Sequence, residues 1–289
     1  MTEDETRAAS ARNGEEGVAH TPSDEASIPR TPDVEGIPDF WERVRDADDR
    51  CLVLDFDGTI AEFEVERMAA RPLPGVVDLL IQIRDRTETY LAMMTGRPIS
   101  ELLALMGDLL LPISGSQGTE FRMPDGSYQT HLPSDRQEER FRRAEAEARA
   151  LTTAGRLERK IASIGLHTRG VDPAVARREE EAVCRAWSAD ASEYDLECRA
   201  FKGGVELRLL DIDKGTALEA LLRDRPADGL CVYVGDDLTD EDAFRALAGR
   251  GLSIKVGGPD DPTCALGRLP DPTAVKEFLG TWLEITTEN

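Results

Sequence analysis

The nine residues Cys51-Leu52-Val53-Leu54-Asp55-Phe56-Asp57-Gly58-Thr59 decide how this chain is read. An apolar run closed by a carboxylate describes a strand covered on both faces, with its C-terminal end turned toward a ligand or water. Such strands belong to parallel sheets. Asp57 follows two residues on and Gly58 lets the chain turn, so two carboxylates reach one strand end. Asp-Gly alone is ordinary turn chemistry, and its meaning depends on what the rest of the chain brings to the same edge.

Working outward, strands and helices alternate. A helix is predicted over 39–47. Residues 74–86 carry Val76, Val77, Leu80 and Ile83 at helical spacing, with Pro74 near the first turn. A second apolar strand spans 90–94, a helix 98–106 and a third strand 111–113. The rhythm returns late in the chain, with helix 214–223, strand 230–234, helix 240–248, strand 252–256 and a last helix entered at Asp271-Pro272. This alternation predicts an α/β fold, a Rossmann-like doubly wound parallel-sheet core over 36–130 and 204–289, with ligands at the C-terminal strand ends. Between the two halves the order changes. Helix 134–153, with Ser134 as N-cap, is followed by strands 156–162 and 164–168, helix 173–189, and strands 194–200 and 205–210 about the Lys202-Gly203-Gly204 turn. The αββαββ order predicts an inserted α+β cap domain over 131–203.

Charge narrows the class of partner. Of 289 residues, 35 are Lys or Arg and 57 are Asp or Glu, a net charge of −22. So acidic a chain is unsuited to the backbone of a nucleic acid or to an anionic membrane. No apolar run approaches the roughly 18 residues of a spanning helix, and the first residues carry no secretory pattern. The expected address is cytoplasmic. A monomer is expected because no long apolar stripe is left over once the core is assigned. Residues 1–35 hold nine acidic and three basic side chains and few branched apolar ones, which predicts a disordered acidic tail. The five cysteines (Cys51, Cys184, Cys198, Cys231, Cys264) are odd in number and show no C-x-x-C spacing, so all are expected to be reduced. Among the cations, 30 are Arg and only five are Lys (Lys160, Lys202, Lys214, Lys255, Lys276). In a chain that so prefers Arg, each Lys merits a question.

A second acidic group, Gly235-Asp236-Asp237-Leu238-Thr239-Asp240, closes another apolar strand. Like charges gathered this closely repel and lose hydration, so a cation is their natural partner, and an all-oxygen donor set favours Mg²⁺. Thr95-Gly96-Arg97 follows the second strand, where a hydroxyl and backbone N–H groups can hold phosphate oxygens. Lys214 opens a helix, where the helix dipole disfavours a cation, in a chain that elsewhere prefers Arg, so it reads as a functional ammonium able to hold phosphate oxygens rather than as a solvated one.

Asp55-Phe56-Asp57-Gly58-Thr59, Thr95, Lys214 and Gly235-Asp236-Asp237 stand in the order and spacing of the haloacid-dehalogenase superfamily of phosphatases, which the chain resembles from about Phe40 to Leu283. Within that superfamily it is similar to the trehalose-6-phosphate phosphatase family, through Gly118, Lys160-x6-His167-x-Arg169, Val205-Glu206-x-Arg208 and Asp213-Lys214-Gly215-x-Ala217-Leu218. The resemblance implies a type-2 cap and Mg²⁺-dependent hydrolysis of a small-molecule sugar phosphate through an aspartyl-phosphate. Asp55 would be the nucleophile and Asp57 the general acid and base. Thr95 and Lys214 would hold the phosphate, and Asp55, the Asp57 carbonyl and Asp236 the metal, with Asp237 and Asp240 behind them. Gly96, Arg97 and Gln117 on the core side, with Lys160, His167, Arg169 and Glu206 from the cap, would bind substrate; His167 reads equally as a packed cap histidine. Two departures from the family pattern, Gln117 in place of His and Thr168 in place of an aromatic residue, fall near the sugar. Glucosylglycerol phosphate or sucrose phosphate therefore remains an alternative substrate, and a receiver-like phosphoacceptor domain is a rival from another class.

Overall fold

The computed structural model describes residues 34–287. In chain order, α1 (Phe40–Asp46), β1 (Arg50–Leu54), α2 (Val76–Arg86), β2 (Thr89–Met94), α3 (Ile99–Met106) and β3 (Ile113–Gly115) are followed by the short strands β4 (Glu120–Arg122) and β5 (Tyr128–Thr130). Next come α4 (Asp135–Leu151), β6 (Arg156–Arg159), β7 (Ser163–His167), α5 (Pro173–Ser188), β8 (Leu196–Phe201) and β9 (Gly204–Leu209). The chain closes with α6 (Lys214–Leu221), β10 (Leu230–Gly235), α7 (Asp240–Ala246), β11 (Gly251–Val256), β12 (Gly267–Leu269) and α8 (Pro272–Thr287).

The larger sheet has the order β12-β11-β10-β1-β2-β3-β4-β5, parallel from β12 through β3 and antiparallel at β4 and β5. Successive strand residues point to opposite faces, and both faces of β1 are covered. Leu52 and Leu54 pack with α1, α2, α3 and α8 (Phe40, Leu80, Ile99, Phe278), whereas Cys51 and Val53 pack with α6 and α7 (Leu218, Phe244). Helices on both faces of a parallel sheet make the doubly wound α/β core that the alternation predicts.

The second sheet, β6-β7-β9-β8, is antiparallel throughout. One face (Ile164, Leu166, Val205, Leu207) is buried with Phe141 and Ala144 of α4 and Val183 and Trp187 of α5. The alternate residues Ser163, His167, Glu206 and Arg208 therefore occupy the other face, which is left for a ligand. α4 begins with a capping box, the Ser134 side chain accepting from the Gln137 N–H, and the αββαββ order matches expectation.

Four expectations need correction. The cap boundary at 203 cuts a sheet: β9 lies between β7 and β8 and bonds to both, so the inserted segment runs through Leu209. Val34 and Glu35, expected in the tail, belong to the core: Val34 is buried and the Glu35 carbonyl accepts from the Arg268 N–H at 2.9 Å. The tail reading for residues 1–33 lies outside the described residues. Cys184 and Cys198 are not free thiols but form a disulfide joining α5 to β8, their Cα atoms 5.8 Å apart; packing of α5 on the sheet brings them together, which no sequence spacing signals. Finally β4, β5 and β12 were not foreseen, because strands of three residues, partly exposed, carry no legible alternation. Among the described residues no helix is long and apolar enough to cross a membrane.

Candidate active site

The two acidic motifs meet because β1 and β10 are neighbours, paired in parallel with Leu54 opposite Val234. Asp55 follows β1 and Asp236 follows β10. Carboxylate oxygens of Asp55, Asp236 and Asp240 lie within 4.8 Å of one another. Gly58 makes this approach possible: it sits at φ +72°, and a Cβ there would lie 2.1 Å from Asp236 Oδ2.

Lys214, at the first turn of α6, is the cation that keeps these charges together. Its Nζ is 3.0 Å from Asp55 Oδ1 and 2.7 Å from Asp240 Oδ1. Burial alone would lower its pKa, but Asp240 and Asp55 outweigh that and raise it, so the ammonium persists. Asp55 moves the other way. Burial raises its carboxyl, Lys214 opposes this, and Asp240, Asp236 and Asp57 add to the rise. Asp236 is pushed up to about 6, by burial first and then by Asp240, against the pull of Lys202.

Asp240 is not free to take a metal. One oxygen accepts from Lys214 and, at 2.5 Å, from the Tyr233 hydroxyl; the other accepts from the Asp237 N–H at 2.8 Å. Asp237 turns Oδ1 to the backbone N–H groups of Leu238 and Lys202. Asp55 and Asp236, each held on one oxygen by a lysine, are therefore the carboxylates suited to a hard dication, an all-oxygen set.

The Asp57 side chain lies elsewhere, on Arg97, whose Nε donates to Oδ2 at 2.7 Å and Nη2 to Oδ1 at 2.5 Å. Arg97 is 2% exposed and also donates to the Arg67 carbonyl, so it grips a core carboxylate while lining the cleft in which contact with substrate is expected. Thr95 is fully buried, its hydroxyl accepting from the Arg97 N–H at 3.2 Å. Gln117 sits at φ +59° over Gly96, and its buried Oε1 has no protein partner among the described residues.

The polar face of the cap sheet closes the cleft from above. Lys160 Nζ lies 2.9 Å from Glu206 Oε1 and 3.1 Å from the Gly96 carbonyl, linking cap to core. His167 Nε2 is 2.5 Å from Glu158 Oε2, and burial lowers the histidine's pKa against that carboxylate. With Nε2–H given to Glu158, Nδ1 is an acceptor; it is buried and has no partner among the described residues. His167 is thus both packed and chemically available. Arg169 stacks on Phe63 at 3.9 Å and donates to the Glu64 carbonyl at 3.2 Å. One cleft is lined by Asp55, Asp57, Gly96, Arg97, Gln117, Lys160, His167, Arg169, Glu206, Lys214, Asp236 and Asp237.

Sequence reasoning passed over other lining groups. Arg67 bridges Glu158 and Glu101, and Phe63 and Phe201 supply apolar walls. Lys202, read as a hairpin residue, reaches from the cap to Asp236 Oδ2 at 2.7 Å. Its signal was present in the rarity of lysine: Lys160 and Lys214 line the cleft, Lys202 pairs with Asp236, and Lys255 donates to the Asp236 carbonyl. Only Lys276 is elsewhere.

A doubly wound core with this aspartate–lysine arrangement at its strand ends and an α+β cap above it defines a phosphatase of the haloacid-dehalogenase superfamily, a hydrolase of phosphoric monoesters. A trehalose-phosphatase family model matches residues 53–263. The chain is 31% identical over 237 residues to a probable trehalose-phosphate phosphatase of Sinorhizobium fredii, covering 81% of this chain and 88% of that one. It is 32% identical over 243 residues to the trehalose-phosphate phosphatase of Mycolicibacterium paratuberculosis, covering 78% of this chain but 60% of that protein. Its fold superimposes on the C-terminal domain of C. albicans trehalose-6-phosphate phosphatase with a TM-score of 0.76 at 22% identity, covering 87% of this chain and 98% of the other. The chain belongs to the trehalose-phosphatase family.

Proposed function

We propose that this protein hydrolyses trehalose 6-phosphate to trehalose and inorganic phosphate. The observation that carries the reading is the position of Asp55, 3.0 Å from Lys214 and beside Asp236, under a cap face that carries the Lys160–Glu206 pair. The floor is suited to a phosphoryl group and the roof to sugar hydroxyls.

In this reading Asp55 attacks phosphorus in line, and the phosphorus–oxygen bond to the sugar breaks as Asp57 delivers a proton to the leaving oxygen. Asp57 then takes a proton from water, which attacks the aspartyl-phosphate and returns Asp55 with release of phosphate. Asp55, Asp236 and the Asp57 backbone carbonyl would hold Mg²⁺, which supplies charge neutralisation for the phosphoryl oxygens. Lys214 and Thr95 serve those oxygens from the protein side. Asp240 keeps Lys214 charged and aimed, and Asp237 braces the loop. The acceptors Gln117 Oε1 and His167 Nδ1, both without a partner among the described residues, are suited to hydroxyl donors of the disaccharide, with Glu206, Lys160 and Arg169 around them.

The test is phosphate release from a panel containing trehalose 6-phosphate, sucrose 6-phosphate, glucosylglycerol phosphate and glucose 6-phosphate. kcat/KM is expected to be highest for trehalose 6-phosphate by at least about tenfold, the discrimination that a few hydroxyl contacts supply. Preference for another sugar phosphate would overturn the substrate and keep the reaction. No turnover of any, with a stable phosphoprotein formed instead, would mean a phosphoacceptor.

A further inference from the structure

Lys202 stands at the tip of the β8–β9 hairpin and belongs to the cap, yet its side chain ends on the core. We propose that Lys202 is the resident counter-ion of Asp236 in the metal-free protein and is exchanged for the divalent cation on loading, so that metal occupancy and docking of the Lys202 ammonium oppose each other. The inference rests on the metal reading of Asp55 and Asp236 given above.

The two partners are unequal. Asp236 has 4% of its side chain exposed, Lys202 52%. A buried carboxylate without a cation is costly, and here the compensating charge comes from a long side chain anchored at the solvent side. Lys202 Nζ is 2.7 Å from Asp236 Oδ2, the oxygen closest to Gly58. A second positive charge on that carboxylate would repel a dication there, so the two compete for one site. The other lysines nearby are engaged differently: Lys214 is held by Asp55 and Asp240, and Lys255 donates to the backbone carbonyls of Asp236 and Asp237.

The backbone of the tip does not depend on that ion pair. The Lys202 N–H donates to Asp237 Oδ1 at 2.8 Å, and the Gly203 carbonyl accepts from the Thr168 N–H at 2.8 Å. Gly203 sits at φ +97°, and a Cβ there would lie 2.7 Å from Cγ of Arg169. With the tip held this way, the ammonium can leave Asp236 while the hairpin stays in place. The Phe63 ring, 5.1 Å from Nζ, offers a cation–π surface beside the site. An ammonium released there would remain beside Phe63, a residue that lines the cleft.

Exchange lowers apparent metal affinity by the fraction of molecules in which Asp236 is free. If Lys202 occupies Asp236 about nine-tenths of the time, its removal tightens binding about tenfold. Mg²⁺ binding is measured by calorimetry on the full chain for wild type, Lys202→Met, Lys202→Arg and Asp236→Asn. Lys202→Met keeps the stem over Phe63 and is expected to bind Mg²⁺ about five- to tenfold more tightly. Lys202→Arg, which keeps the charge, is expected within about twofold of wild type. In parallel, the protein is labelled with ¹³C at lysine Cε. Its five lysine signals allow Lys202 to be assigned by its loss in Lys202→Met, and saturating Mg²⁺ is expected to move that signal toward a solvated lysine. Unchanged or weaker binding in Lys202→Met overturns the proposal. So does tighter binding with a Lys202 signal that does not respond to Mg²⁺, which would be long-range repulsion without exchange. Wild type that binds no Mg²⁺, or Asp236→Asn that binds as tightly as wild type, would instead remove the metal site itself and this inference with it.

Discussion

Arg97 closes on both carboxylate oxygens of Asp57, Nε at 2.7 Å and Nη2 at 2.5 Å. The fork is itself fixed by the Arg67 carbonyl and by Phe56 beneath the guanidinium. For Asp57 to pass a proton to a leaving oxygen, one of the two oxygens has to be released while the other keeps the carboxylate aimed. Arg97→Lys removes the planar fork and leaves a point charge. kcat is expected to fall about 10- to 100-fold, part of the 10²–10⁴ that a positioned acid–base group contributes, with KM changing less. Steady-state kinetics with an unchanged kcat would count against Asp57 as the proton carrier.

Asp55→Asn removes the nucleophile while leaving Lys214 paired with Asp240. Turnover is expected to fall by more than about 10³, with a thermal midpoint equal to or above wild type, since a charge whose pKa is raised first by burial and then by its acidic neighbours is relieved. Near-normal phosphate release from the purified variant would refute the assignment.

The Asp236 carboxyl titrates in a useful range, pushed up to about 6 by burial and by Asp240. Its folded pKa lies above its unfolded value, so its contribution to stability is fully present below the unfolded pKa of about 4 and is lost as pH rises through about 6. Metal-free wild type is therefore expected to lose stability relative to Asp236→Asn across that window. Mg²⁺ acts in the opposite direction, because it competes with the proton, and its affinity should climb through the same window and level off above pH 7. Thermal melts with and without Mg²⁺ from pH 4 to 8 measure both; a flat difference from Asp236→Asn would contradict the raised carboxyl.

The Lys160–Glu206 pair is nearly closed to solvent, with side chains 7% and 5% exposed. Glu206 also accepts from the Ser163 hydroxyl at 2.6 Å. If the pair reads sugar hydroxyls, Glu206→Gln should raise KM for the disaccharide phosphate by about tenfold or more, the scale of a lost charged hydrogen bond, and leave kcat within a few-fold. Turnover of p-nitrophenyl phosphate, which has no sugar, is expected to be unchanged. An equal loss on both substrates would mean that the pair only holds the cap in place.

Gly58→Ala tests how tightly the two acidic loops are pressed together. The new methyl would meet Asp236 Oδ2 at 2.1 Å with the backbone at φ +72°. The strain costs about 1–3 kcal/mol, and Asp236 has to move. Mg²⁺ affinity should drop at least about tenfold, a shift of roughly 1.4 kcal/mol or more, while circular dichroism stays native. Wild-type affinity would mean that the loops have slack the geometry does not show.

Much of this was legible before any coordinate, for physical reasons that are local. Apolar runs closed by Asp55 and by Asp236 declare buried strands with polar ends, and the change from βα alternation to αββαββ declares the inserted module. The scarcity of lysine singles out the side chains that serve as compact ammonium groups in the cleft. Residues such as Lys214, a cation at a helix start, carry their oddity in their immediate neighbours.

Pairing across the molecule was not legible in the same way. That Asp55 faces Asp236 depends on β1 and β10 being adjacent, and that Arg97 takes Asp57 depends on how the turn after β2 meets the turn after β1. The end of the cap at Leu209, not 203, follows from β9 lying between β7 and β8, and the Cys184–Cys198 bond follows from α5 packing on β8. Lys202 is the sharpest case: nothing near it in the chain names its partner, and only docking of the hairpin tip brings its ammonium to Asp236. Composition and periodicity act over a few residues and determine which chemistry the chain carries. The partner of each charge is set by which elements pack together, and that is a property of the tertiary structure alone.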